Sequence, residues 1–267
     1  MPPSMSPWAL PDTTPEAVLD LAGGRGLRLV WHNDDASTYE LGAGAGRCFV
    51  KWSPASSSLD LDAEAARMKW AATYTPVPEV LGQGKDDHGS WLVTAALDGT
   101  NAVEPRWTAR PEPAVRAIGE GLRAMHEALP VSSCPFSWTA EERLEACVKA
   151  AKAGWEGPGE EWQEEYAHLT LAQALELAAD IPLTDKLVVC HGDACAPNTL
   201  LTSDGRWSGH VDLGCLGVAD RWADLAVATW STEWNYGPGW EDMLLDAYGV
   251  AKDEERTWYY RLLWNLG

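Results

Sequence analysis

Between residues 186 and 214 the chain switches so quickly between short apolar runs and polar loops that the architecture around it is constrained. KLVVCHG (186–192) reads as a strand ending in a loop. TLL (199–201) and GHVDLG (209–214) bracket the turn Ser203-Asp204-Gly205 and so read as a hairpin. The flanking sequence has helical periodicity instead, over 113–129, 139–153 and 160–180, the last with an acidic face. A hairpin inserted among helices presents its loop residues from a rigid support, which is where chemistry tends to sit.

The first part of the chain has a different character. LRLVW (27–31) and RCFVKW (47–52) read as strands on either side of Asn33, Asp34, Asp35 and Gly42, Gly44, Gly46, a pattern of antiparallel hairpins. Residues 59–72 have helical spacing, with Leu61, Ala65, Met68 and Ala72 on one face and Ser58 as a cap. Pro76-Val77-Pro78 opens an extended segment, and SWLVTAAL (90–97) is a further strand. The expected organisation is therefore a small antiparallel-sheet lobe over 1–97, a hinge near 94–99, and a mainly helical lobe over 98–267.

Composition excludes several classes of function. Forty Asp plus Glu against 20 Lys plus Arg give a formal charge of −20, a field that repels phosphate backbones and anionic membranes and attracts cationic ligands. Nucleic acid is thus a poor partner. No run approaches the ~20 apolar residues of a membrane helix, and the start has neither the basic nor the apolar region of a signal peptide, so the expectation is a cytoplasmic protein with no membrane partner. The six cysteines form no CxxC pair, which fits reduced thiols. Sixteen Trp against two Phe find no role in these patterns and read as ordinary core and surface aromatics.

The strongest chemical signal is His191-Gly-Asp193-Ala-Cys-Ala-Pro-Asn198, followed after the hairpin by Asp212-Leu-Gly214. Phosphoryl transfer from a nucleotide needs a carboxylate beside the attacking hydroxyl and hard oxygen ligands for Mg²⁺ on the phosphates. Asp193 can supply the first, and Asn198 and Asp212 the second. The same chemistry asks for an upstream strand Lys paired with a helix Glu, an order met by Lys51 and Glu64. Zinc through Cys190, His191, Asp193 and Cys195 is disfavoured, because C-x₄-C has no second ligand pair at usual spacing. His126 and His210 lie in apolar settings and read as packed or capping histidines.

The run VVCHGDACAPNTLL…VDLGCLGVADRWADLA resembles the aminoglycoside phosphotransferases, antibiotic-resistance kinases with a protein-kinase-like fold. Weaker resemblance extends over Lys51, Glu64 to Trp70, Val77 to Val80, Met125-His126 and Cys134-Pro135-Phe136. Within the family, the CPF segment, VVCHGDxCxPN and the ending in tyrosines, leucines and a terminal Gly are most similar to the streptomycin 3″-phosphotransferases. The resemblance implies an α+β, protein-kinase-like two-lobe fold and an ATP- and Mg²⁺-dependent enzyme that phosphorylates the 3″-hydroxyl of streptomycin. The alternatives are a 3′-kinase of kanamycin or neomycin, or a non-catalytic nucleotide-binding homologue. It assigns Asp193 as catalytic carboxylate, Asn198 and Asp212 as metal ligands, Lys51 as phosphate contact and Glu64 as its partner. Ser37 and Thr38 would lie in the loop covering the phosphates, the backbone from Ala95 to Leu97 would hold the purine, and His191, Asp220 and Asp224 would brace the loop. Glu160, Glu164 and Glu233 are the carboxylates proposed to meet the cationic substrate, and the enzyme is expected as a monomer or weak dimer. Two departures stand out: residues 33–40 lack GxGxxG, and Cys215 follows DLG where relatives often carry Arg. The chain also lacks the acidic-aromatic ending by which 3′-kinases hold their substrates.

Overall fold

Residues 14–159 and 162–267 are described by the computed structural model. Most of the N-terminal start and the predicted substrate residue Glu160 lie outside them. The chain divides into two compact units, residues 1–97 and 98–267.

The first unit opens with α1 (Glu16–Ala22), closed by Gly23 in the left-handed conformation, and continues through β1 (Leu27–His32), β2 (Ser37–Leu41) and β3 (Cys48–Pro54). Helix α2 (Leu61–Ala71) precedes β4 (Val80–Lys85) and β5 (Gly89–Ala95). The strands form one antiparallel sheet in the order β1-β2-β3-β5-β4. Its core gathers Val18 and Ala22 of α1 with Tyr39, Leu41, Cys48 and Val50 of β2 and β3.

Strand β2 corrects the reading of Ser37 and Thr38 as loop residues. Burial alternates along it, with Ser37, Tyr39 and Leu41 inward, so the period of a half-buried strand is present. Polar Ser37, Thr38 and Glu40 mask it in the sequence. The loop shrinks to Asn33–Ala36, where the Asn33 side chain accepts hydrogen bonds from the amides of Asp35 (3.0 Å) and Ala36 (2.8 Å). The cap of α2 is Asp60, which accepts from the Ala63 amide at 2.9 Å, and not Ser58. Ala72 is exposed beyond the helix end, while Leu61, Ala65 and Met68 are buried as expected.

In the second unit, β6 (Thr100–Asn101) and α3 (Pro105–Thr108) lead into the long α4 (Pro111–Ala128), which starts on proline at a position that needs no amide donor. Then come α5 (Ala140–Lys152), α6 (Leu171–Ala178), β7 (Leu187–Cys190), β8 (Thr199–Leu201), β9 (Trp207–His210) and β10 (Gly217–Asp220). Helices α7 (Trp222–Tyr236), α8 (Glu241–Tyr248) and α9 (Glu254–Asn265) complete it. β7 pairs with β10, and β8 joins β9 and β6. α7 is buried continuously from Trp222 to Thr232 and forms the spine of the unit. A Cβ added at Gly119 of α4 would lie 2.5 Å from the Leu244 carbonyl, so only glycine lets α4 and α8 pack this closely.

The acidic helix expected over 160–180 is not formed at that length. α6 begins at Leu171 because Thr170 and Gln173 make a reciprocal capping box. Upstream, Glu164 and Glu165 lie exposed in turns. The Tyr166 ring is fully buried there and its hydroxyl donates to the Trp258 carbonyl at 2.8 Å. The GHVDLG run also divides: β9 ends at His210, and Asp212 follows in a loop.

Candidate active site

In the N-terminal unit, Lys51 on β3 and Glu64 on α2 form an ion pair, Nζ to Oε2, at 2.9 Å. Both side chains are largely buried, which strengthens the pairing relative to a surface one. Thr38 stands opposite Lys51 in the β2–β3 register, so the two side chains share one face of the sheet. Ser37 is on the other face: it is buried and its hydroxyl contacts His32 Nδ1 at 2.9 Å. At the end of β5, the Ala95 amide donates to Glu79 (2.8 Å), the Ala96 amide to Arg47 (3.2 Å), and the Arg47 guanidinium reaches the Leu97 carbonyl (3.4 Å). The backbone of Ala95 to Leu97 is thereby held in one conformation. A recess of about 680 Å³ in this unit, lined by Glu16, Asp20, Trp52, Asp86, His88 and Trp91 among others, contains none of the predicted site residues.

In the C-terminal unit, β7 ends at Cys190 and the chain turns sharply at Gly192, whose φ is +86°. A Cβ there would come within 2.3 Å of the Cys215 carbonyl, so this turn requires glycine twice over. The turn delivers Asp193, partly exposed, to the loop. Asn198 reaches back across it: its Nδ2 donates to Asp193 Oδ2 at 2.9 Å and to the Asp193 carbonyl at 3.0 Å. The Val211 amide donates to the Asn198 carbonyl at 3.0 Å. Asp212, the next residue, is therefore returned to the same loop by the hairpin. It is the one non-glycine residue with positive φ (62°) among those described, a conformation more tolerable for Asp than for most residues and one that concentrates at functional sites.

The brace behind this loop is extensive. Asp224, fully buried at the start of α7, accepts from the amides of His191 (2.6 Å) and Gly192 (2.9 Å) and from His126 Nε2 (2.9 Å). Burial alone would push its carboxyl up, but the His126 hydrogen bond, the neighbouring His126 and His191 imidazoles and the Gly192 amide outweigh that and hold it below its ordinary value. His126 Nδ1 in turn contacts the Tyr248 hydroxyl at 2.9 Å. His191 Nε2 donates to the Val211 carbonyl (2.9 Å), and its Nδ1 accepts from the Asp193 amide (3.2 Å). Both of its nitrogens are committed, so it braces. Ser231 of α7 accepts from the Ala196 amide at 2.8 Å. Asp220 accepts from the amides of Asp185 (2.5 Å) and Trp222 (2.9 Å).

Cysteine chemistry is suppressed here. Burial first, then the charge of Asp193, pushes the Cys195 thiol well up, and Asp212 adds to the same effect. Both carboxylates thus act on one sulfur. The donor atoms of His126, Cys190 and Asp224 lie within 4.8 Å of one another, but the histidine and carboxylate atoms are already spent on the hydrogen bonds above, so the trio works as a brace. No local pattern signals Tyr248 or Ser231, whose roles depend on which helices pack together.

The predicted residues separate clearly. Lys51 meets Glu64, and Asp193 meets Asn198 beside Asp212. Glu164 and Glu233 are exposed on a turn and on the last turn of α7. A buried strand Lys–Glu pair in an antiparallel-sheet unit, with a glycine-turned Asp–Asn loop and a hairpin-returned Asp in a helical unit, defines a protein-kinase-like phosphotransferase.

Comparison with known proteins agrees. Residues 26–260 match the phosphotransferase enzyme family, and the chain belongs to it. It is 41% identical over 224 residues to an aminoglycoside 3′-phosphotransferase of Streptomyces fradiae, covering 79% of this chain and 81% of that one. It is 34% identical over 233 residues to a streptomycin 3″-kinase of Streptomyces griseus, covering 79% and 82%. The solved structure of aminoglycoside phosphotransferase APH(3″)-Id from Streptomyces rimosus superposes with a TM-score of 0.79 at 29% identity, over 94% of this chain and 96% of that one. This chain is an ATP-dependent phosphotransferase with an alcohol group as acceptor.

Proposed function

We propose that this chain transfers the γ-phosphate of ATP to a hydroxyl of an aminoglycoside, so conferring resistance to the drug. The observation that carries the reading is the Asn198–Asp193 contact at 2.9 Å, locked to the Asp212 segment through Val211. Asp193 orients the acceptor hydroxyl and takes up its proton as the oxygen attacks the γ-phosphorus and the bond to the bridging oxygen of ADP breaks. Lys51, held by Glu64, contacts the phosphates, and Thr38 on the same sheet face joins it. Ser37 is left out, because its hydroxyl is engaged on the far face. The backbone from Ala95 to Leu97 receives the purine.

The donor set fits Mg²⁺. The Asn198 amide nitrogen is spent on Asp193, which orients its Oδ1 as a hard oxygen, and Asp212 offers a carboxylate from a backbone conformation kept for it. When bound, the ion neutralises charge on the phosphates. Glu164, Glu233 and, outside the described residues, Glu160 are the candidate contacts for the cationic drug.

Among hydroxyls, the 3′ position is favoured by 41% identity to the Streptomyces fradiae enzyme against 34% to the streptomycin 3″-kinase. Streptomycin 3″ is the second reading. It is favoured by the likeness to the Streptomyces rimosus enzyme, which is also known in complex with ADP and streptomycin. A panel of aminoglycosides scored for ADP release, with mass spectrometry to locate the added phosphate, tests both. Release on kanamycin or neomycin with phosphate at 3′ supports the first, release on streptomycin supports the second, and release on none refutes the acceptor class.

A further inference from the structure

Sixteen tryptophans are a large complement for this chain, and one of them occupies an unusual position. Trp234, on the last turn of α7, is 39% exposed. Its ring is nevertheless fixed from behind: its centroid lies 5.1 Å from that of buried Trp230 and 5.4 Å from that of Trp264, tilted by 39° and 41°. Trp230 is in turn packed edge-on by fully buried Tyr166 at 5.8 Å. A large apolar ring packed against two others and still 39% exposed is preorganised to receive something, because its ordering cost has been met by folding.

Its location says what. Residues three apart on a helix share a face, and one turn rises about 5.4 Å. Three residues before Trp234, Ser231 takes the Ala196 amide of the loop that carries Asp193, and Asn235 donates to the Ser231 carbonyl at 2.7 Å. The open indole is thus about one helical turn from a direct support of the catalytic loop. The segment bearing exposed Glu164 is fastened to the last turn of α9, next to Trp264, by the Gln163 amide donating to Asn265 Oδ1 at 3.0 Å. Glu233 adjoins Trp234 and is exposed.

We propose that Trp234 is a stacking platform for one amino-sugar ring of the acceptor, with the carboxylates of Glu233 and Glu164 taking that ring's cationic substituents. The inference deepens the reading of the acceptor as an aminoglycoside and rests on it. Indole faces attract cations and the polarised C–H face of a charged sugar, and the carboxylates add the complementary sign. Phosphate transfer does not involve the platform, so it acts on acceptor affinity.

The test is steady-state kinetics of the full chain on whichever aminoglycoside the unaltered enzyme phosphorylates. Trp234→Ala is expected to raise KM for the drug about tenfold, with KM for ATP unchanged and kcat within about twofold, while Trp234→Phe stays within about threefold of the parent. If Trp234→Ala melts below the assay temperature, Trp234→Leu against Trp234→Phe carries the same contrast, since both bury apolar area and only one is aromatic. A drug KM that is equal in the aromatic and non-aromatic variants would overturn the platform while leaving the proposed function standing. A parent enzyme inactive on every aminoglycoside would overturn both.

Discussion

The loop from His191 to Asn198 and the turn from Asn33 to Ala36 are both short connections that leave a strand, yet they are held in opposite ways. The first is fastened by side chains from distant elements: Asp224 and Ser231 of α7, Val211 beyond β9 and, through Asp224, His126 of α4. The second is held largely from within by Asn33, with Ser53 Oγ donating to the Asp35 carbonyl at 2.7 Å. Under the proposed function the first loop presents a carboxylate and metal-binding oxygens, which calls for fixed geometry, and it is built into the core. The second carries none of the proposed chemistry and can be local. Burying so many polar groups around the first loop is tolerable only because nearly all are paired.

Breaking the chemistry of the first loop has the largest expected effect. Asp193→Ala should lower turnover by about 10³-fold or more while nucleotide binding, measured by calorimetry, stays near that of the parent. Removing the brace comes next. Asp224→Ala strands two backbone amides and His126 in a dry interior, so the expected loss is about 3 kcal/mol of stability by chemical denaturation, with activity falling as well.

A subtler effect comes from His210, buried behind the loop with its ring centroid 5.6 Å from that of His191. Neither ring nitrogen has a hydrogen-bond partner among the described residues. Burial, then the neighbouring His191 imidazole, holds its pKa well below the ordinary 6.5. The unfolded chain therefore binds a proton below pH 6.5 that the folded chain refuses, and stability falls with pH by about 1.4 kcal/mol per unit in that window. Unfolding followed from pH 7 to pH 5 should show this slope reduced in His210→Leu. An unchanged slope would remove His210 from the account. At the small end, Asn33→Ala should cost about 1 kcal/mol or less and change drug kinetics little, because the turn it holds is exposed and local.

How much of this could be read from the sequence follows the same division. The pairing of Lys51 with Glu64 and of Asp193 with Asn198 is legible, because the chemistry proposed for them fixes residue type, order and spacing. The brace was only half legible. Asp224 lies within a motif, but its partners His126 and Tyr248 come from helices whose packing no local pattern encodes. Strand β2 is not legible because serine, threonine and glutamate mask a period of two. The sequence pattern overextends the acidic helix because a run of glutamates mimics helical composition, whereas the buried Tyr166 and the Thr170 cap determine where α6 starts.

The proposed chemistry depends most on Asn198 and Asp212 sharing one ion. A crystal of the enzyme grown with ADP and Mn²⁺ in place of Mg²⁺, with data collected for manganese anomalous scattering, tests this most directly. The expected result is a peak about 2.1 Å from both Asn198 Oδ1 and an Asp212 carboxylate oxygen. A nucleotide-bound peak that touches neither residue would contradict it.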